Sequence, residues 1–150
     1  MLPTLTGTGL VTYALQFRGQ VEPAGAVTLV AARAPSSLLV SIVDRDGPHG
    51  RFEDVGGTDA VFRATLDGDG PLEGEVDFGS GTTLTVRATG RHTATPASRP
   101  YLRHGAALLE VVEGTGRLRG ATGWITSNYL LSDTGDLTDT HLGLLFVERP

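Results

Sequence analysis

Turn-forming residues punctuate this chain about every eight to twelve positions, and no stretch between them keeps an apolar period near 3.6 for more than a single helical turn. What repeats is a period of two. Leu72, Gly74, Val76 and Phe78 point one way while Glu73, Glu75 and Asp77 point the other, the pattern of a strand with one wet and one buried face. Thr82 to Thr89 repeats it, with Leu84, Val86 and Ala88 opposed to Thr83, Thr85 and Arg87. Gly9 to Phe17 sets Val11, Tyr13, Leu15 and Phe17 on one face. These alternations predict an all-β chain.

The other expected strands are Ala26 to Arg33, Leu38 to Asp44, Asp59 to Leu66, Ala106 to Val112, Trp124 to Leu131 and a last one ending near Val147. The segments between them read as loops. Gln20 to Gly25 contains Pro23, and Asp44 to Arg51 is the most polar and reads as a mobile lid. Asp67 to Pro71 is a turn, and Arg91 to Arg103, with Pro96 and Pro100, is a longer connection. No repeat or linker divides residues 1–150, so they form one domain, long enough to bury a core. About eight antiparallel strands can close into a single β-barrel, whose interior holds side chains or one small ligand and whose closure leaves no exposed edge.

Composition removes several functions. With no cysteine there is no disulfide, thiolate metal site or Cys nucleophile. All 12 basic residues are Arg, which excludes a Schiff-base lysine. A net charge of −5 argues against a nucleic-acid partner. No apolar run reaches the length of a membrane span, and Met1 to Thr6 lacks the basic and apolar regions of a signal peptide, so the expected location is cytoplasmic. His49, His92, His104 and His141 are scattered without ligand spacing, so no metal is expected. The glycines of the C-terminal third open no helix of a βαβ unit, and no glutamate closes Asp44-Arg45-Asp46-Gly47 as a calcium loop.

Those glycines are the most specific feature. Glu113-Gly114-Thr115-Gly116 makes a turn, and Gly120 and Gly123 bracket Ala121-Thr122 before the long strand from Trp124. Four glycines in so short a run imply a tightly specified bend. GTGRLRGATG, preceded by GSGTTLTVRATG and a Pro-containing loop, resembles the C-terminal signature of the allene oxide cyclase and dirigent proteins over roughly residues 79–147. Leu118 stands where an aromatic residue is usual in that signature. The resemblance implies an eight-stranded antiparallel barrel. Enzymes of that class cyclise or couple small hydrophobic molecules without metal or organic cofactor, and related bacterial barrels are implicated in forming rings in polyketide natural products. Similar barrels often form homodimers or homotrimers. The glycine signature marks the fold and carries no catalytic group.

Candidate site residues are polar groups on apolar strands. Glu110 shares a face with Ala106, Leu108 and Val112, where burial would suit a carboxyl to proton transfer; the alternative is an outer face. Trp124, Thr126, Asn128 and Leu130 lie on one face of their strand, and Ile125, Ser127, Tyr129 and Leu131 on the other. Trp124 can stack on a polyene or ring and Asn128 can hold an enol or carbonyl oxygen, unless they are a core residue and a strand-end cap. Asp139 and His141 share a face two residues apart, so the carboxylate can orient the imidazole, although that spacing, about 7 Å, does not guarantee a hydrogen bond. Tyr13 is a hydroxyl donor or a core residue, Arg63 an enolate partner or an outward cation. Phe62 and Tyr129 complete the expected substrate contacts.

Three functions fit. The first is a cofactor-independent cyclase or isomerase that folds a hydrophobic, polyketide-like intermediate of secondary metabolism in a dry barrel, with general acid–base help. The second is a non-catalytic, lipocalin-like binding protein; the third is a structural module whose barrel is filled by its own side chains.

Overall fold

The computed structural model describes residues 8–44, 47–53, 59–67, 72–97, 99 and 101–148. Ten strands run β1 Thr8–Ala24, β2 Val27–Pro35, β3 Leu38–Asp44, β4 Gly47–Glu53, β5 Asp59–Asp67, β6 Glu73–Gly79, β7 Thr82–Pro96, β8 Leu102–Gly114, β9 Thr122–Ser132 and β10 Asp136–Glu148. They form one sheet in the order β10-β9-β8-β7-β6-β5-β2-β1-β3-β4, and β10 pairs back onto β1. The ring β1-β2-β5-β6-β7-β8-β9-β10 is therefore a closed, all-antiparallel, eight-stranded barrel. The β3–β4 hairpin branches from it, because β3 pairs with β1 only at Leu10 to Thr12 while β2 takes Arg18 to Ala24.

Alternation sets the inside of the barrel. Val11, Tyr13, Leu15 and Phe17 of β1 are buried, as are Val76 and Phe78 of β6, Leu84 and Val86 of β7, Leu109 and Val111 of β8, and Ile125 of β9. One end is sealed by the glycine-rich stretch. A single 3-10 turn, Gly116–Leu118, drops the fully buried Leu118 side chain into the core, with Ala121 beside it. Thr115 locks this turn to the β6–β7 hairpin. Its Oγ1 donates to the Gly81 carbonyl at 2.9 Å and accepts the Thr83 N–H at 3.1 Å. Glycine is required at 116, where φ is +60° and a Cβ would stand 2.6 Å from the Gly81 carbonyl oxygen.

Three segments read as loops are strand. β1 continues through Pro23, which is tolerated because pairing with β10 ends at Gln20, leaving that part of β1 with β2 alone. Gly47–Glu53, which takes in Gly47 to Arg51 of the polar segment expected to be a lid, pairs along its length with β3; residues 45 and 46 lie outside the described residues. Much of Arg91 to Arg103 is also strand. Thr93 to Pro96 pairs with Ala106 to Arg103 beyond a register shift in β7, so long-range pairing overrides the turn propensity of Gly and Pro.

Candidate functional site

The unsealed end of the barrel contains a pocket of about 340 Å³, within the range of small-molecule sites. Its floor is Phe62, Leu109, Ser127, Leu137 and Asp139, all buried. Its upper wall is Val21, Val30, Leu66, Leu72, Tyr129 and Leu131, all partly exposed, so the pocket opens to solvent at the end where the β1–β2 and β9–β10 turns lie. Apolar side chains dominate the lining, and its one ionisable carboxyl is Asp139.

Register explains the grouping. Phe17, Asp139, Tyr129 and Gly105 form one row across β1, β10, β9 and β8. Leu15, His141, Ser127 and Ala107 form the next, and Tyr13, Gly143, Ile125 and Leu109 the third. Directly opposed residues on antiparallel strands point the same way, so all twelve positions face inward. Two glycines in these rows make room for tyrosine rings. A Cβ on Gly143 would stand 2.3 Å from Tyr13 Cε1, and one on Gly105 would stand 2.3 Å from the Tyr129 hydroxyl oxygen.

Asp139, His141 and Tyr13 are connected. His141 Nε2 is 3.0 Å from Asp139 Oδ2, and its Nδ1 is 3.5 Å from the Tyr13 hydroxyl, a long contact. Ser127 Oγ donates to Asp139 Oδ1 at 2.7 Å. The spacing that made a direct Asp139–His141 bond uncertain is spanned by the two side chains themselves, whose ends meet at 3.0 Å. With a proton on Nε2 of a neutral imidazole, His141 donates to the carboxylate and accepts from Tyr13, and each donor in the chain has a partner. Phe17 and Phe62 enclose the imidazole, each with its ring centroid 4.7 Å away, so His141 is fully buried behind the pocket floor.

Both tyrosines stay neutral well into alkaline solution. Burial, and then the Asp139 carboxylate, push the Tyr13 phenol well above its usual value, and the same causes raise Tyr129. Tyr129 lines the pocket, and its hydroxyl is held by no other side chain among the described residues, which leaves the O–H to a ligand. A raised phenol pKa stabilises the fold fully below the unfolded value near 10, and that stability falls as pH rises beyond it. Urea midpoints should therefore drop between about pH 9 and about pH 11, and drop less in Tyr13→Phe. An equal drop in both proteins would contradict the buried phenol.

Of the residues singled out from sequence, Tyr13, Phe62, Tyr129, Asp139 and His141 converge inside the barrel. Glu110, Trp124, Asn128 and Arg63 do not. The inner set of β8 is Gly105, Ala107, Leu109 and Val111, so parity turns Glu110 outward, in register with Arg87 and Trp124. Ile125, Ser127 and Tyr129 are the inner residues of β9, which leaves Trp124, 44% exposed, and Asn128 outside. Arg63 is exposed between the inward Phe62 and Ala64. Sequence reasoning did not single out Ser127, although it shares a face with Tyr129. Phe17 was placed on a buried face but not beside a histidine. Among the described residues no three His, Asp or Glu side chains come together as a metal site would require.

No protein-family model matches the chain, and no curated protein sequence does. Among solved structures it is similar to a pterocarpan synthase dirigent protein, with a TM-score of 0.49 and 17% identity over 98% of this chain and 93% of that one. A likeness at this level transfers no residue role, substrate or activity.

Proposed function

We propose that the protein is a cofactor-independent cyclase or isomerase acting on a small hydrophobic intermediate, of the polyketide kind, held in the barrel pocket. One observation carries the reading: a single buried carboxyl, Asp139, on the floor of a largely apolar pocket, braced by Ser127 and His141. A pocket that only stores an apolar ligand gains nothing from a buried carboxylate, which is costly to desolvate. A proton-transfer site needs one, held still.

In this reading Asp139 takes a proton from an acidic C–H or O–H of the ligand. The Tyr129 O–H hydrogen-bonds the oxygen on which charge develops. Returning the proton at a second atom of the ligand gives an isomer; alternatively the enolate carbon attacks a carbonyl carbon of the same ligand, that C=O π bond breaks as the ring closes, and Asp139 returns its proton to the alkoxide formed. No electrons leave the system. His141, Ser127 and Tyr13 are positioning residues that fix the carboxylate, and the apolar walls exclude water and limit the folded conformers of the ligand.

The test is turnover of linear, enolisable, hydrophobic precursors by purified protein, with isomeric or cyclised product detected by chromatography and mass spectrometry. A precursor that binds saturably and is recovered unchanged points instead to the binding-protein reading. EDTA followed by dialysis should leave turnover unaltered, since the described side chains offer no cluster of metal ligands. Loss of activity restored by added metal would contradict the mechanism.

A further inference from the structure

On the inner face of β8 the side chains are smallest toward the pocket mouth: Gly105, then Ala107, then Leu109 and Val111. Ala107 and Leu109 line the pocket, whereas Gly105 is buried under the ring of Tyr129. Tyr129 leans from β9 across to β8 and lays the far end of its phenol on that glycine. A Cβ at 105 would stand 2.3 Å from Cζ and from the hydroxyl oxygen, and 2.8 Å from Cε1. The backbone itself does not ask for glycine here, because φ lies outside the left-handed region that other residues avoid. The requirement is the ring.

The direction of that lean decides what the phenol can do. Tyr129 is in register with Gly105 on one side and with Asp139 on the other. Directly opposed antiparallel residues have Cβ atoms only ~4.5–5.5 Å apart, so a tyrosine leaning toward β10 would give its O–H to the Asp139 carboxylate. Ser127, the neighbouring inner residue of β9, does so at 2.7 Å, and His141 meets the other carboxylate oxygen. A third donor would make Asp139 a weaker base and leave the phenol nothing to offer a ligand. Resting on Gly105, the ring lies along the β8 wall instead, and hydroxyl and carboxylate both face the pocket from opposite sides of β9.

We propose that Gly105 is a positioning residue that also sets the width of the pocket. Having no side chain, it parks the Tyr129 phenol against β8 and keeps the O–H away from Asp139. That leaves room for an enolisable carbonyl compound lying across β9, its oxygen toward β8 and its acidic carbon toward β10. The assignment rests on the reading of the pocket as an enolisation site. A methyl group at 105 drives the ring toward Asp139 or into the space of the ligand. Covering a glycine with a cross-strand aromatic ring also steadies a sheet, so the test has to read the ligand as well as the fold.

Three quantities are measured: calorimetric affinity for benzylacetone, deuterium uptake by that ketone in D₂O, and the Cζ resonance of ¹³C-labelled Tyr129, assigned by its loss in Tyr129→Phe. In Gly105→Ala, with circular dichroism unchanged, affinity should fall about tenfold and deuterium uptake further. The resonance should move and stop responding to the ketone. Once the ring is removed, in Tyr129→Leu, adding Gly105→Ala should cost nothing more. A ketone that does not bind the parent overturns the proposal. So does a parent-like affinity and resonance in Gly105→Ala, or an equal cost with and without the ring. Should Gly105→Ala fail to fold, Tyr129→Leu alone serves: the vacated recess should shift preference about tenfold toward the naphthyl analogue of the ketone. An unchanged preference then overturns the proposal. Affinity and resonance need no turnover, so a barrel that binds the ketone through this pair and never exchanges its protons refutes the proposed chemistry and leaves Gly105 as the residue that shapes the pocket.

Discussion

Asp139→Asn is expected to lower turnover by about 10²–10⁴-fold, the usual contribution of a positioned general base, while ligand affinity changes only a few-fold. The amide keeps the size of the carboxyl and its place on the pocket floor, so apolar contacts with Phe62, Leu109 and Leu137 persist. What is lost is the ability to accept a proton. The variant should still fold, because Ser127 Oγ can donate to the amide oxygen. Its melting temperature will fall somewhat, since an amide N–H₂ facing His141 Nε2–H forces the imidazole to its other tautomer. Rates from single-turnover kinetics, with affinity measured separately, check this. Retained turnover would remove Asp139 from the chemistry.

The second large effect concerns stability. Leu118→Ala should destabilise the fold by about 2–5 kcal/mol, the range for truncating a fully buried leucine, a large share of the ~5–15 kcal/mol that holds a domain together. Leu118 is completely buried, and its turn is anchored through Thr115 to Thr83 and Gly81 rather than free to collapse into the space left. Urea unfolding gives the number directly. A loss below about 1 kcal/mol would mean that the glycine-rich stretch does not seal the barrel.

How much of this was legible beforehand follows from what alternation can and cannot say. A period of two separates the faces of a strand without saying which face is inside. On β6 the charges of Glu73, Glu75 and Asp77 decide it, and the expected inner set is the observed one. On β8 and β9 both faces are apolar enough to be buried, because the outer one carries Leu108, Val112, Trp124 and Leu130. Glu110, Trp124 and Asn128 were therefore placed in the site on equal terms with Tyr129, and register with β10 was needed to separate them. Asp139 and His141 were legible as a pair; their contact was not, since it depends on which way the two side chains lean along β10. Nor was Tyr13's reach to His141, which needs Gly143 opposite it across more than a hundred residues of chain. The lid failed for another reason. Gly47, Pro48 and Gly50 read as turn formers, and pairing with β3 overrides that local preference.

Proton transfer inside the pocket is the central claim, and deuterium exchange tests it most directly. A precursor with an acidic C–H is incubated with the protein in D₂O, recovered, and its mass compared with that of the same compound incubated with Asp139→Asn. The parent should deliver product, or recovered precursor, carrying deuterium at the enolisable carbon well above the uncatalysed background, and the variant should not. A ligand that binds in the pocket yet returns from both proteins without added deuterium and unchanged in structure would contradict the account and make this barrel a carrier.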